Sequence, residues 1–177
     1  LDDVPFEARL ERYGLDFGYT NDPTAIVAIY KYHGGFILDE VCYEKGLKYL
    51  LQASKHFIDS ILILVGTGDH EELSKHIPDN MKDNVFYIPE VTQDDLLYLY
   101  NTSDVVVLPS IPTDTWVEQF GRVLTEAAAC GKPTIATNMG GPKDIIEHGK
   151  TGFLINPFSA YEIAHNVNNL ILCKDMA

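Results

Sequence analysis

From about residue 42 onward, short apolar runs alternate with segments whose apolar residues recur at helical spacing. ILILVG at 61–66, NVFYI, DVVVLPS at 104–110, KPTIATN and GFLIN read as strands. Near-continuous apolar character in such runs is the pattern of strands buried on both faces. Between them EKGLKYLLQASKHF, HEELSKHI, TQDDLLYLYN, FGRVLTEAAACG and SAYEIAHNVNNLIL read as helices. Thr92 and the acids behind it mark one helix start, and Gly131 marks another helix end. Before residue 42 the rhythm differs. RYGLDFGY, TAIVAIYKY and GFILDEVCY are three β-type runs in close succession. The last two face each other across His33-Gly34-Gly35, so residues 25–42 are predicted to form an antiparallel hairpin.

Strand–helix alternation with short connections predicts an α/β fold: a Rossmann-like, doubly wound, mostly parallel sheet, with the N-terminal hairpin as an antiparallel extension at the sheet edge. The expected division is an N-terminal hairpin segment, 1–46, and the Rossmann-like domain, 47–177. In such sheets ligands bind beyond the carboxyl ends of the strands. Four loops fall there: Tyr43-Glu44-Lys45-Gly46, Gly66-Thr67-Gly68, the polar run from Pro109 to Gly121, and Met139-Gly140-Gly141-Pro142. Each glycine pair also reads as a simple tight turn, and Lys45 as a solvated lysine at a helix start.

Glu118 to Glu126 is the more informative stretch. Phe120-Gly121 opens a helix whose free N–H groups and positive dipole end would face an anion. Glu126 lies about 9 Å along that axis from Phe120 at 1.5 Å rise per residue. Two acids so spaced can grip two hydroxyl-bearing parts of a ligand with a diphosphate at the helix tip between them. They read equally as two solvated carboxylates.

Composition narrows the classes. The chain has 177 residues, 46% hydrophobic and 22% charged, as an ordinary globular domain does. No run approaches the roughly 18 apolar residues of a membrane span, and the acidic N-terminus lacks the apolar core of a secretory signal. Cys42, Cys130 and Cys173 have no metal-type spacing and predict thiols in a reducing, cytoplasmic setting. A net charge of −13 with scattered Lys and Arg argues against nucleic-acid partners. The six histidines form no ligand pattern, so no metal is expected.

EQFGRVLTEAAACGKPTIATNMGGPKDIIEHGKTGFLINP resembles the signature block of retaining GT-B glycosyltransferases (glycosyl transferases group 1, family 4). That family carries Glu, seven residues, Glu, a small-residue helix, Gly-x-Pro, a strand and Gly-Gly. These are Glu118, Glu126, Gly131-Lys132-Pro133 and Gly140-Gly141 here. YEKGLKYLLQA, LILVGTGDHEEL and VTQDDLLYLYNTSDVVVLPS follow the family's order, so the resemblance spans 42–177. It implies a nucleoside diphosphate sugar as donor substrate, transfer with retention, and neither metal nor other cofactor. By the same resemblance Glu118 binds donor-sugar hydroxyls and Glu126 binds the ribose. Backbone amides at Phe120, Gly121 and Arg122 face the sugar and diphosphate, and Gly66, Gly68 and Val91 border the base. Lys45 would neutralise the leaving diphosphate and stabilise the transition state.

Two departures qualify this expectation. The family's Gly-Arg before the Glu-Lys-Gly motif is Asp39-Glu40 here, which sets carboxylates where a guanidinium would clamp the diphosphate. The family also places its acceptor between two domains, and an N-terminal acceptor domain is expected to be missing from this chain, leaving it inactive alone. Residues 13–47, including GLDFGYTNDPTAIVAIYKYHGG, instead resemble the start of a phage terminase large-subunit nuclease domain, with Asp16 as its first metal-binding acid. Asp16 also reads as an acid beside a turn. Two alternatives to donor binding therefore stand: a composite or designed module without activity, and a metal-dependent nuclease fragment.

Overall fold

The chain is described by a computed structural model over residues 26–31, 46–66, 70–89, 91–113 and 117–172. Among the described residues six strands form one sheet: β1 (Ile26–Lys31), β2 (Ser60–Val65), β3 (Val85–Ile88), β4 (Val106–Leu108), β5 (Thr134–Thr137) and β6 (Gly152–Ile155). The helices are α1 (Leu47–Ser54), α2 (His70–Ser74), α3 (Gln93–Thr102), α4 (Arg122–Ala129), α5 (Pro142–Ile145) and α6 (Ala160–Leu172), with a 3-10 turn at Asp79–Met81.

Burial on both faces explains the apolar strands. In β2, Leu62 and Leu64 join the cluster beneath α1 and α6, while Ile63 and Val65 join the one beneath α3 and α4. Val105 and Val107 face the first of these layers and Val106 the second. Alternation of side chains along a strand thus distributes one apolar run between two helical layers. The helices answer with i, i+3, i+4 spacing: Leu47, Leu50 and Leu51 on α1, and Ile163, Val167, Leu170 and Ile171 on α6, are all buried. Each such side chain contributes about 1.5–3 kcal/mol relative to its exposed state. Asn168 of α6 also ties down the chain after α1, its amide donating to the His56 carbonyl at 2.8 Å and its carbonyl accepting from the Ile58 amide at 3.3 Å.

The sheet order is β3-β2-β1-β4-β5-β6. β2 pairs parallel with β3, β4 with β5, and β5 with β6. β1 runs antiparallel to β2 from Ile26↔Val65 to Lys31↔Ser60, and antiparallel to β4 at Ala28↔Val106. This corrects the expected edge position. The antiparallel strand lies at the centre of a mixed sheet, and the sheet crosses the division expected at residue 46. The second arm of the hairpin predicted over residues 25–42 lies outside the described residues.

Two antiparallel pairings on β1 leave β2 and β4 pointing the same way. The carboxyl ends of β2 to β6 therefore gather at one end of the sheet, with Ile26 of β1 beside Val65. Among the described residues no helix is long and apolar enough to cross a membrane.

Candidate functional site

The chain after β4 reaches α4 through a buried polar junction. Glu118 is 9% exposed. Its Oε1 accepts from the amides of Gly121 at 3.0 Å and Phe120 at 3.3 Å. Its Oε2 lies 3.5 Å from Ser110 Oγ, at the outer limit of a hydrogen bond. Ser110 is itself held by Thr137 at the end of β5, whose hydroxyl donates to the Ser110 carbonyl at 2.6 Å. A buried carboxylate needs donors, and among the described residues these backbone amides supply them.

This geometry revises one expectation. The Phe120 and Gly121 amides, expected to face a donor, are engaged by Glu118. Arg122 and Val123 head the helix itself, and among the described residues their amides donate no hydrogen bond; the first intrahelical cap bond runs from Leu124 to the Gly121 carbonyl at 2.9 Å. Gly121 adopts φ +77°, and a Cβ there would stand 2.9 Å from a Leu108 methyl. Glycine is therefore required both by conformation and by close approach.

Gly140 and Gly141 press on the same segment from β5. A Cβ on Gly140 would lie 1.8 Å from the Glu118 carbonyl oxygen, and one on Gly141 2.2 Å from that of Gln119. The Gly141 amide donates to the Glu118 carbonyl at 3.0 Å. The glycine pair is thus the surface against which residues 118–120 are seated. From the other side Gly46 abuts the loop after β4, since a Cβ there would meet the Pro109 carbonyl oxygen at 2.5 Å. Lys45, next in the chain, lies outside the described residues, as do Gly68, Asp39, Glu40 and Asp16.

Glu126 sits on the second turn of α4 and is half-buried. Tyr100 of α3 donates its hydroxyl to Glu126 Oε2 at 2.7 Å. Sequence reasoning missed this contact; the only sign of it was a tyrosine on the apolar face of α3, whose polar tip needs a partner. Across the sheet, Gly66 closes β2, its amide donating to the Ile88 carbonyl at 2.9 Å, and its carbonyl accepts from the Tyr87 hydroxyl. Burial raises the pKa of Tyr87. Val91 packs with Ile88 and Leu96 in the layer that holds Tyr100. The structure thus brings together Glu118, Phe120, Gly121 and Arg122 at the start of α4, sets Glu126 further along that helix against Tyr100, and leaves Gly66 at the end of β2 and Val91 after β3.

Chemistry fades beyond that end. α4 closes at Gly131, with Lys132 N–H to the Ala127 carbonyl at 2.9 Å and Gly131 N–H to that of Ala128 at 2.9 Å, the paired bonds of a Schellman motif. There burial raises the Cys130 thiol's pKa, with Lys132 opposing and Glu126 adding to the shift. Burial lowers the pKa of the Lys132 ammonium, against the opposing pull of Asp104 and Cys130.

The glycosyl transferases group 1 family model matches residues 36–177, beginning at residue 36 rather than 42 and taking in the run shared with the terminase resemblance. An uncharacterized glycosyltransferase of Methanocaldococcus jannaschii is 31% identical over 73% of this chain and 33% of its own. A D-inositol 3-phosphate glycosyltransferase of Pseudarthrobacter chlorophenolicus is 39% identical over 65% of this chain and 27% of its own. The chain thus spans about a third or less of the length of these curated relatives. Anabaena HepE, solved in complex with UDP and glucose, superposes with a TM-score of 0.65 at 31% identity, over 75% of this chain and 36% of that one. The sequence block around Glu118 and Glu126, the fold that carries it and these matches agree: the chain belongs to the glycosyl transferases group 1 family.

Proposed function

We propose that this chain binds a nucleoside diphosphate sugar beyond the carboxyl ends of β2, β4 and β5, as the donor domain of a retaining glycosyltransferase. The observation that carries the reading is the start of α4. Glu118 is fixed by two backbone amides, with Oε2 left to accept from sugar hydroxyls. The next amides, of Arg122 and Val123, lie at the positive end of the helix, where a diphosphate is stabilised. Glu126, about one turn further on, then takes the ribose, and Gly66 and Val91 border the base. HepE, with UDP and glucose bound, supports the choice of ligand.

Transfer with retention requires the diphosphate to leave with its growing negative charge stabilised. The α4 dipole and Lys45 supply that stabilisation without a metal. The acceptor site of the reading belongs to a second domain. Residues 39 and 40 oppose donor binding as carboxylates. Glu40→Arg is expected to tighten nucleoside diphosphate binding roughly tenfold, ~1.4 kcal/mol, by replacing a repulsion with a clamp; unchanged affinity would mean that residue 40 faces away.

Isothermal titration of the purified chain with UDP, GDP and ADP, without added metal, tests the reading. Saturable binding of one nucleotide supports it and identifies the base. No heat from any of the three at millimolar concentration overturns it, in favour of a folded module without activity.

A further inference from the structure

The contact between Tyr100 and Glu126 joins two helices that the donor reading treats separately. Tyr100 is 2% exposed, and its ring belongs to the layer of Ile63, Val65, Leu99, Val106, Val123 and Ala127. Its hydroxyl emerges from that layer to reach Glu126 Oε2 at 2.7 Å. A tyrosine has few side-chain torsions and these are locked by packing, whereas a glutamate on a helix surface samples many rotamers. The bond therefore transfers the rigidity of the core to a carboxylate at its border, and leaves Oε1 to accept from a ligand.

We propose that Tyr100 is a positioning residue for nucleoside recognition: it holds Glu126 in the one orientation that meets the ribose hydroxyls, and so sets the site's preference for a ribose over a sugar lacking them. The inference rests on the reading of Glu126 as the ribose contact. A carboxylate already oriented loses less conformational freedom on binding, and this gain appears only for ligands that hydrogen-bond to it.

The test titrates UDP and 2′,3′-dideoxy-UDP into the unaltered chain, Tyr100→Phe, Glu126→Ala and the double variant, with thermal unfolding recorded for each. Tyr100→Phe keeps the packed ring and removes the hydroxyl. It is expected to weaken UDP about three- to tenfold, the range of one lost hydrogen bond, with the dideoxy nucleotide unchanged. Added to Glu126→Ala it should cause no further loss. Two outcomes overturn the inference alone: Glu126→Ala abolishes the ribose preference while Tyr100→Phe retains it, or Tyr100→Phe weakens both nucleotides equally, as a packing role would. A ribose preference that survives Glu126→Ala, or no binding of UDP, GDP or ADP by the unaltered chain, overturns the reading on which the inference stands; if the base proves to be guanine or adenine, the same comparison is made with that nucleotide and its dideoxy form.

Discussion

α3 and α4 begin in opposite ways. Thr92 caps α3 with its own side chain, accepting from the Asp95 amide at 3.2 Å while Asp95 Oδ2 accepts from the Thr92 amide at 3.2 Å. This reciprocal box satisfies two donors and adds a negative charge at the positive helix end. α4 begins at Gly121 in the left-handed region with no side-chain cap. Its neighbouring carboxylate, Glu118, engages the two amides before the first helical turn and leaves those of Arg122 and Val123. One terminus is sealed from within. The other is built around an acid of fixed position, glycines that bring backbone close to backbone, and amides without a side-chain cap. Within one domain, the manner of capping separates a helix that supports the fold from the helix proposed to meet the donor.

Three substitutions sharpen this contrast. Gly140→Ala should have the largest effect. Its φ of +51° disfavours a side chain, and the new methyl would stand 1.8 Å from the Glu118 carbonyl oxygen, so the turn or the 118–120 segment must move. We expect a loss of about 3 kcal/mol or more in chemical denaturation, with nucleotide binding lost as well. Near-native stability would mean that the glycine pair does not seat Glu118. Glu126→Ala comes next: nucleotide affinity should fall by about 1–3 kcal/mol for a lost charged hydrogen bond, and calorimetry showing no change would remove Glu126 from the site. The smallest effect belongs to the sealed terminus. Thr92→Ala should cost about 1 kcal/mol of stability with nucleotide affinity untouched; a drop in affinity there would break the division of labour between the two helices.

Local signals carried far in the sequence. The capping residue Thr92, the closing Gly131 and the apolar strands β2, β4 and β5 all appear where turn chemistry and hydrophobic pattern predicted them. What escaped was long-range pairing. IVAIYK has the composition of a strand but nothing that selects its neighbours, so its place between β2 and β4 is decided by tertiary contacts. The bond from Tyr100 to Glu126 spans 26 residues and has no sequence period. Gly140 and Gly141 were legible as a turn but not as the seat of Glu118, because close approach of two backbone segments leaves no trace in either one. α5, four residues long, lay below the length at which helical periodicity can be read.

The central strand also determines how the sheet holds together. Among the described residues β2 and β4 do not pair with each other, and in the sheet the β3-β2 half and the β4-β5-β6 half are joined through β1. β1 pairs with β2 along its whole length but with β4 only at Ala28↔Val106. Native-state hydrogen exchange should therefore divide the sheet into two cooperative units, with amides along the β1–β4 seam exchanging ahead of those between β4 and β5. A ligand that touches both halves would act as a staple across that seam, slowing exchange there in proportion to its occupancy.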